Sequence, residues 1–65
     1  MGNYEDYGTK AIESNELNFS GNNETAVLSL KVLDTLSENA PELPVKYALT
    51  VLDDAKDMLL QLLSV

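Results

Sequence analysis

The stretch that decides the fold is residues 44–65, PVKYALTVLDDAKDMLLQLLSV. Placed at about 100° per residue on a helix, its apolar side chains cover roughly 220° of the circumference. These positions are Val45, Ala48, Leu49, Val51, Leu52, Ala55, Met58, Leu59, Leu60, Leu62, Leu63 and Val65. A surface helix of a monomeric domain needs an apolar stripe of only about 100° or slightly more. The surplus predicts that this helix is buried against the rest of the chain, a second copy or a partner.

The same stretch is not expected to span a membrane, because Asp53, Asp54, Lys56 and Asp57 interrupt it. The N-terminus has neither the basic nor the apolar region of a signal peptide. Asp6 stands where the myristoylation pattern after Gly2 requires Ser or Thr. These features favour a cytoplasmic location with no membrane partner.

A second helix is predicted from about Glu24 to Glu38, capped by Asn22 or Asn23. Its apolar residues cover roughly 200° of arc, again a wide face. They are Ala26, Leu28, Leu30, Val32, Leu33 and Leu36, with Val27 outside the face and with Lys31, Asp34 and Thr35 on the solvent side. Asn39 is expected to adopt the left-handed conformation that ends this helix.

The connection between the two helices predicts a helical hairpin. Pro41 prevents easy continuation of the second helix, and Pro44 has the fixed φ suited to the first turn of the third. A linker of about five residues favours antiparallel packing of its neighbours. We therefore expect helices near 24–38 and 44–63, within a hairpin domain that spans 24–65.

Residues 1–23 are predicted to form an N-terminal arm with a possible short helix over 3–14, followed by a polar loop. Tyr4, Tyr7 and Ala11 would share one face of that helix, while Gly8 and Thr9 weaken it. An ordered arm docked through its tyrosines is the alternative. In the loop 15–23, the apolar pair Leu17 and Phe19 is expected to hold the polar chain against the hairpin.

A chain of 65 residues has a marginal core, because it buries only about 60% of its unfolded surface. It contains no Cys and no His, so disulfides and the usual zinc sites cannot stabilise it. The expected fold class is therefore all-α: an antiparallel helical hairpin with a short N-terminal helix or arm, completed as a bundle by self-association.

The residue inventory argues against an enzyme. Without His, Cys or Arg, catalysis would depend on carboxylates, tyrosines, lysines or hydroxyls, and none stands in a known nucleophile motif. The DDxxD spacing of residues 53–57 can chelate a cation in isoprenoid synthases, but a large helical cavity and a second acidic cluster are needed there. No cofactor and no metal site are expected.

Eleven acidic residues against four lysines give a net charge of −7. Binding to nucleic acid requires basic patches that this chain cannot assemble, so no direct nucleic-acid partner is expected. The acidity is compatible with simple solubility, with a basic protein partner, or with imitation of the charge of DNA.

The candidate interface residues are apolar, aromatic or basic side chains on the predicted helix faces: Leu30, Leu33, Leu52, Lys56, Leu59, Leu63, Tyr4, Tyr7 and Tyr47. Lys56 lies between Leu52 and Leu59 on the apolar arc. Either its stem packs there while the amine reaches solvent, or it pairs with an acid of a neighbouring helix such as Asp34 or Glu38. The LxxLL pattern of residues 59–63 is weak support for docking in a groove, since any Leu-rich helix produces it.

The leading functional interpretation is a small acidic interaction or regulatory protein that acts by protein–protein binding as a homo-oligomer. The alternative is a phage-type inhibitor that blocks a basic nucleic-acid-binding surface of its target by charge mimicry. Such a mimic needs acids in two rows at phosphate-like spacing, whereas the acids here are scattered along the chain. A small-molecule sponge with pockets between subunits is a third possibility.

Overall fold

The computed structural model describes residues 3–63, which contain three α-helices and no strand. They are α1 (Asn3–Glu13), α2 (Asn23–Asn39) and α3 (Val45–Leu63). The all-α prediction is confirmed, and each helix bound differs from the expected one by at most one residue. The predictions made for Gly2 and Val65 lie outside the described residues.

The N-terminus of α2 is held by a reciprocal cap. The side-chain Oδ1 of Asn22 accepts a hydrogen bond from Thr25 N at 3.0 Å, and Thr25 Oγ1 accepts one from Asn22 N at 3.0 Å. Both groups would otherwise lack a helical partner at this end. The prediction of an asparagine cap is confirmed, with Asn22 as the residue that supplies it.

The prediction of a left-handed Asn39 is wrong. Asn39 is the last residue of α2, and Ala40 is its C-cap. Ala40 has φ −143°, and its N–H donates to Leu36 O at 2.8 Å. Ala40 precedes Pro41, and the proline ring favours an extended conformation for the residue before it. The chain therefore leaves the helix without a left-handed residue.

Asn15, at the end of α1, is the residue that adopts the left-handed conformation, with φ 59°. Its N–H donates to Ile12 O at 3.1 Å, and the N–H of Glu16 donates to Ala11 O at 2.8 Å. These two bonds form the Schellman pattern, which satisfies carbonyls of the last turn. The turn directs the chain out of α1 and into the loop that leads to α2.

Helix α3 begins directly after Pro44, whose carbonyl accepts from both Tyr47 N and Ala48 N at 3.0 Å. Pro44 thus precedes the helix rather than lying in its first turn. Residues 40–44 connect α2 to α3, which agrees with the expected linker of about five residues.

The core lies between α1 and α2, which make the main helix–helix contact among the described residues. Ile12, Ala26 and Leu30 are buried there, with Val27 and Leu33 packed against them. Val27 was expected outside the apolar face of its helix, and that expectation is wrong because α1 covers this side of α2. The predicted arm is therefore a true helix, and it contributes Ile12 to the core.

Gly8 allows α1 to approach α2 closely. A Cβ built at this position would lie 2.6 Å from Leu30 Cδ1 and closer still to Leu30 Cδ2. Leu30 is buried, so its side chain has little room to move aside. The glycine weakens α1 as an isolated helix, but it lets the two helices pack together.

We expect Gly8→Ala to destabilise the chain, although alanine is the better helix former by about 1 kcal/mol. The added methyl overpacks the contact with Leu30, which typically costs about 1–3 kcal/mol. In a Leu30→Val background, which lacks both Cδ atoms, the same substitution should stabilise the chain. Urea unfolding of the four variants checks this reversal, and stabilisation in both backgrounds would contradict it.

Candidate interaction surface

Helix α3 contains no buried residue. Ala48 and Leu52 are half-buried, and every residue from Asp53 to Leu63 is exposed. The large apolar side chains exposed on this helix, here named the α3 apolar surface, are Val45, Leu49, Val51, Met58, Leu59, Leu60, Leu62 and Leu63. Only the first half of α3 is therefore in contact with its own chain through apolar side chains.

The exposed surface of the chain is too large for a compact monomer. It measures 5527 Å², whereas a folded monomer of 7.1 kDa exposes about 4,100 Å², so the excess is about 1,400 Å². The Cα radius of gyration is 13.0 Å, against about 11 Å for a compact domain of this length. A standard protein–protein interface removes about 800 Å² from each partner. The excess is large enough to supply such an interface.

A second apolar surface lies beside the core. It is an open groove of about 480 Å³ with almost entirely apolar walls, here named the α1–α2 groove. Its lining residues are Asn3, Tyr4, Tyr7, Gly8, Ala11, Leu17, Leu30 and Leu33. Leu17 lies at the wall of this groove, but Leu17 and Phe19 are both exposed. The expectation that this pair holds the loop against the hairpin stays a prediction.

A cleft of similar volume, about 490 Å³, separates α2 from the middle of α3. Its walls are Leu28, Lys31, Val32, Thr35, Leu36, Asn39, Val51 and Leu52. Three of these side chains are polar or charged, so the cleft is less apolar than the α1–α2 groove.

The structure divides the predicted interface residues into two groups. Leu30 and Leu33 pack within the chain, between α1 and α2, and Leu52 is half-buried. The others are exposed: Tyr4, Tyr7, Tyr47, Lys56, Leu59 and Leu63. Leu59 is 57% exposed and Leu63 75% exposed, although the sequence places them on the same side of the helix as Leu52. Their interface role stays a prediction.

The sequence pattern placed Asp34 on the wrong side of α2. It was expected on the solvent side of its helix, yet it is only 7% exposed. Its two carboxylate oxygens accept hydrogen bonds from Tyr4 N at 2.7 Å and Glu5 N at 3.0 Å. These are orphan N–H groups of the first turn of α1, where a negative charge also interacts favourably with the helix dipole.

A signal for this role is present in the sequence. Asp34 follows Leu30 by four residues and Val27 by seven, so it shares their side of α2. Gly2, the residue before α1, has no side chain that could cap the helix. The cap is instead supplied from 30 residues away in the chain, and it fixes α1 against α2.

We expect Asp34→Ala to lower the free energy of unfolding by about 1–3 kcal/mol, because two N–H groups of α1 lose their acceptor. Asp34→Asn should cost less, since one carbonyl oxygen remains. Asp54→Ala, at an exposed carboxylate of α3, is the matched control and should have little effect. Urea unfolding followed by circular dichroism measures all three, and equal stability of Asp34→Ala and the control would refute the cap.

Lys56 does not pair with Asp34. Its Nζ lies 3.1 Å from Asp53 Oδ1 and 4.0 Å from Asp57 Oδ1, both on its own helix. All three side chains are well exposed, and exposed pairs of this kind contribute at most about 1 kcal/mol. Among the described residues, Lys31 Nζ and Glu5 Oε2 form an ion pair at 3.6 Å between α2 and α1.

Neither a metal centre nor a membrane span is found within residues 3–63. No group of three His, Cys, Asp or Glu side chains in this range is arranged to hold a metal ion. No helix in this range is long and apolar enough to cross a bilayer.

Comparison of the chain with protein-family models, with curated proteins and with solved structures finds no match.

Proposed function

We propose that this chain is a small acidic, non-enzymatic protein that acts by binding protein, and that it self-associates through α3. The observation that carries the proposal is the absence of any buried residue on a 19-residue helix rich in leucine. An apolar surface of this extent on a helix is typical of a protein–protein interface. Its association with a second copy would complete a helical bundle that one chain cannot form alone.

The packing of the helices within one chain supports this proposal. The α1–α2 core and the Asp34 cap hold two helices together without any contribution from the second half of α3. That half carries five large apolar side chains in eleven residues: Met58, Leu59, Leu60, Leu62 and Leu63. An exposed segment of this composition is costly in water, and burial of each leucine is worth about 1.5–3 kcal/mol.

Charge mimicry of nucleic acid has less support. Asp34 is buried, Glu5 pairs with Lys31, and Asp53 and Asp57 flank Lys56. Several of the carboxylates that a mimic would present are therefore engaged within the chain. Exposed carboxylates such as Asp6, Glu13 and Asp54 are compatible with binding to a basic partner protein, in agreement with the leading proposal.

The melting temperature tests the proposal, because the stability of an oligomer depends on protein concentration. We expect the melting temperature of the wild-type chain to rise as its concentration increases through the micromolar range. A cooperative transition at a temperature independent of concentration would contradict self-association.

A further inference from the structure

We infer that the α1–α2 groove is the docking site for the second half of α3 from another copy of this chain, in a reciprocal two-fold exchange. This inference rests on the proposed self-association and adds the surface that receives the helix. The inference rests on two exposed apolar surfaces of the same molecule, the α1–α2 groove and the second half of α3. Within one chain, neither surface covers the other.

The two halves of α3 differ in what they contact. Ala48 and Leu52 are half-buried against their own chain, whereas Leu59 and Leu63 are exposed. Leu52, Leu59 and Leu63 lie within about 40° of one another on the helix. The first half can therefore stay on its own chain while the second half presents the same side to a neighbour.

The groove has the chemistry that this helix end requires. Its walls are apolar apart from Asn3, and it is open to solvent. Leu59 and Leu63, spaced i and i+4, are the anchors with which an amphipathic helix occupies such a groove. Asp53, Asp54 and Asp57 lie roughly 100–160° from Leu52 around α3, so these carboxylates stay in solvent when Leu59 and Leu63 enter the groove.

The coverage of apolar surface favours this arrangement over direct pairing of two α3 helices. In a closed dimer, the second half of α3 of each copy docks in the α1–α2 groove of the other copy. One type of interface then covers the groove and the helix end of both chains. Pairing of α3 with α3 would leave both α1–α2 grooves exposed. The excess exposed area of about 1,400 Å² per chain is more than the roughly 800 Å² that each partner of a standard interface buries.

The first test changes the groove without changing the core. Tyr7 is 75% exposed in the single chain, so Tyr7→Glu should leave its fold intact. It should raise the dissociation constant of the dimer at least about tenfold, because a charge would enter an apolar contact. Thr50→Glu adds the same charge on the exposed polar side of α3 and should change the constant less than about threefold.

The second test reports which surfaces meet. The chain contains no cysteine, so a chain with Tyr7→Cys can be mixed with a tagged chain carrying Leu63→Cys and then oxidised. We expect the mixed disulfide between the two chains to dominate. A control mixture with Gln61→Cys, on the polar side of α3, should give much less.

The outcomes separate this inference from the proposed function. If the Leu63→Cys chains cross-link mainly with each other, or if Tyr7→Glu behaves like Thr50→Glu, α3 docks elsewhere and the inference is overturned while self-association stands. If the wild-type chain is monomeric at all micromolar concentrations, both are overturned. A dominant mixed disulfide together with weakened association of Tyr7→Glu supports the inference.

Discussion

Leu59→Asp should abolish the proposed self-association and leave a monomer at every micromolar concentration. Leu59 lies in the middle of the apolar arc of α3, yet it is more than half exposed within a single chain. A carboxylate there costs little in the monomer, but it would lie unpaired among apolar side chains in the assembly. The change in the free energy of association should be at least about 2 kcal/mol, as for the central residues of other interfaces.

The control for this prediction is Gln61→Asp, which introduces the same charge two residues away on the polar side of α3. It should leave the mass of the assembly unchanged. Circular dichroism should show that both variants keep α1 and α2, since neither residue contacts the core. Equal loss of association in the two variants would indicate a general charge effect and contradict the assignment of Leu59.

Leu30→Ala should unfold much of the protein at 25 °C. Leu30 is 8% exposed, belongs to the α1–α2 core and lies against Gly8. Truncation of a buried leucine to alanine typically costs about 2–5 kcal/mol. A domain of this length has a total stability of only about 3–10 kcal/mol, so the loss is a large part of what is available.

Leu28→Ala is the matched control, because Leu28 lies on the same helix and is 60% exposed. It should lower the free energy of unfolding by less than about 1 kcal/mol. Urea unfolding monitored by circular dichroism compares the two variants at one protein concentration. Equal effects would show that the core does not lie between α1 and α2.

Local features of the sequence were sufficient to predict α2 and α3, whereas α1 was only one of two alternatives for residues 3–14. Asn22 provides a side-chain acceptor before a run of apolar residues, and Pro44 restricts the backbone before the next. These effects act within a few residues, so they can be read without knowledge of the fold. Asn39 shows the limit even at this range, because it stays helical and the chain leaves α2 at Ala40, the residue that Pro41 restricts.

Packing between helices was harder to predict. Asp34 accepts from the backbone of residues about 30 positions earlier, and the need for that acceptor arises only once α1 lies on α2. Gly8 was interpreted by its helix propensity, whereas its closeness to Leu30 matters more in the folded chain. The sequence showed that the apolar arc of residues 44–65 is wider than a surface helix of a monomer needs. Periodicity alone does not determine which surface covers that arc.

Sedimentation equilibrium of the wild-type chain over the micromolar range tests most directly whether a second copy covers α3. We predict an average mass that rises with concentration toward at least twice the 7.1 kDa of one chain, and a Leu59→Asp variant that stays at the mass of a single chain. A wild-type chain that remains at 7.1 kDa throughout would contradict the account.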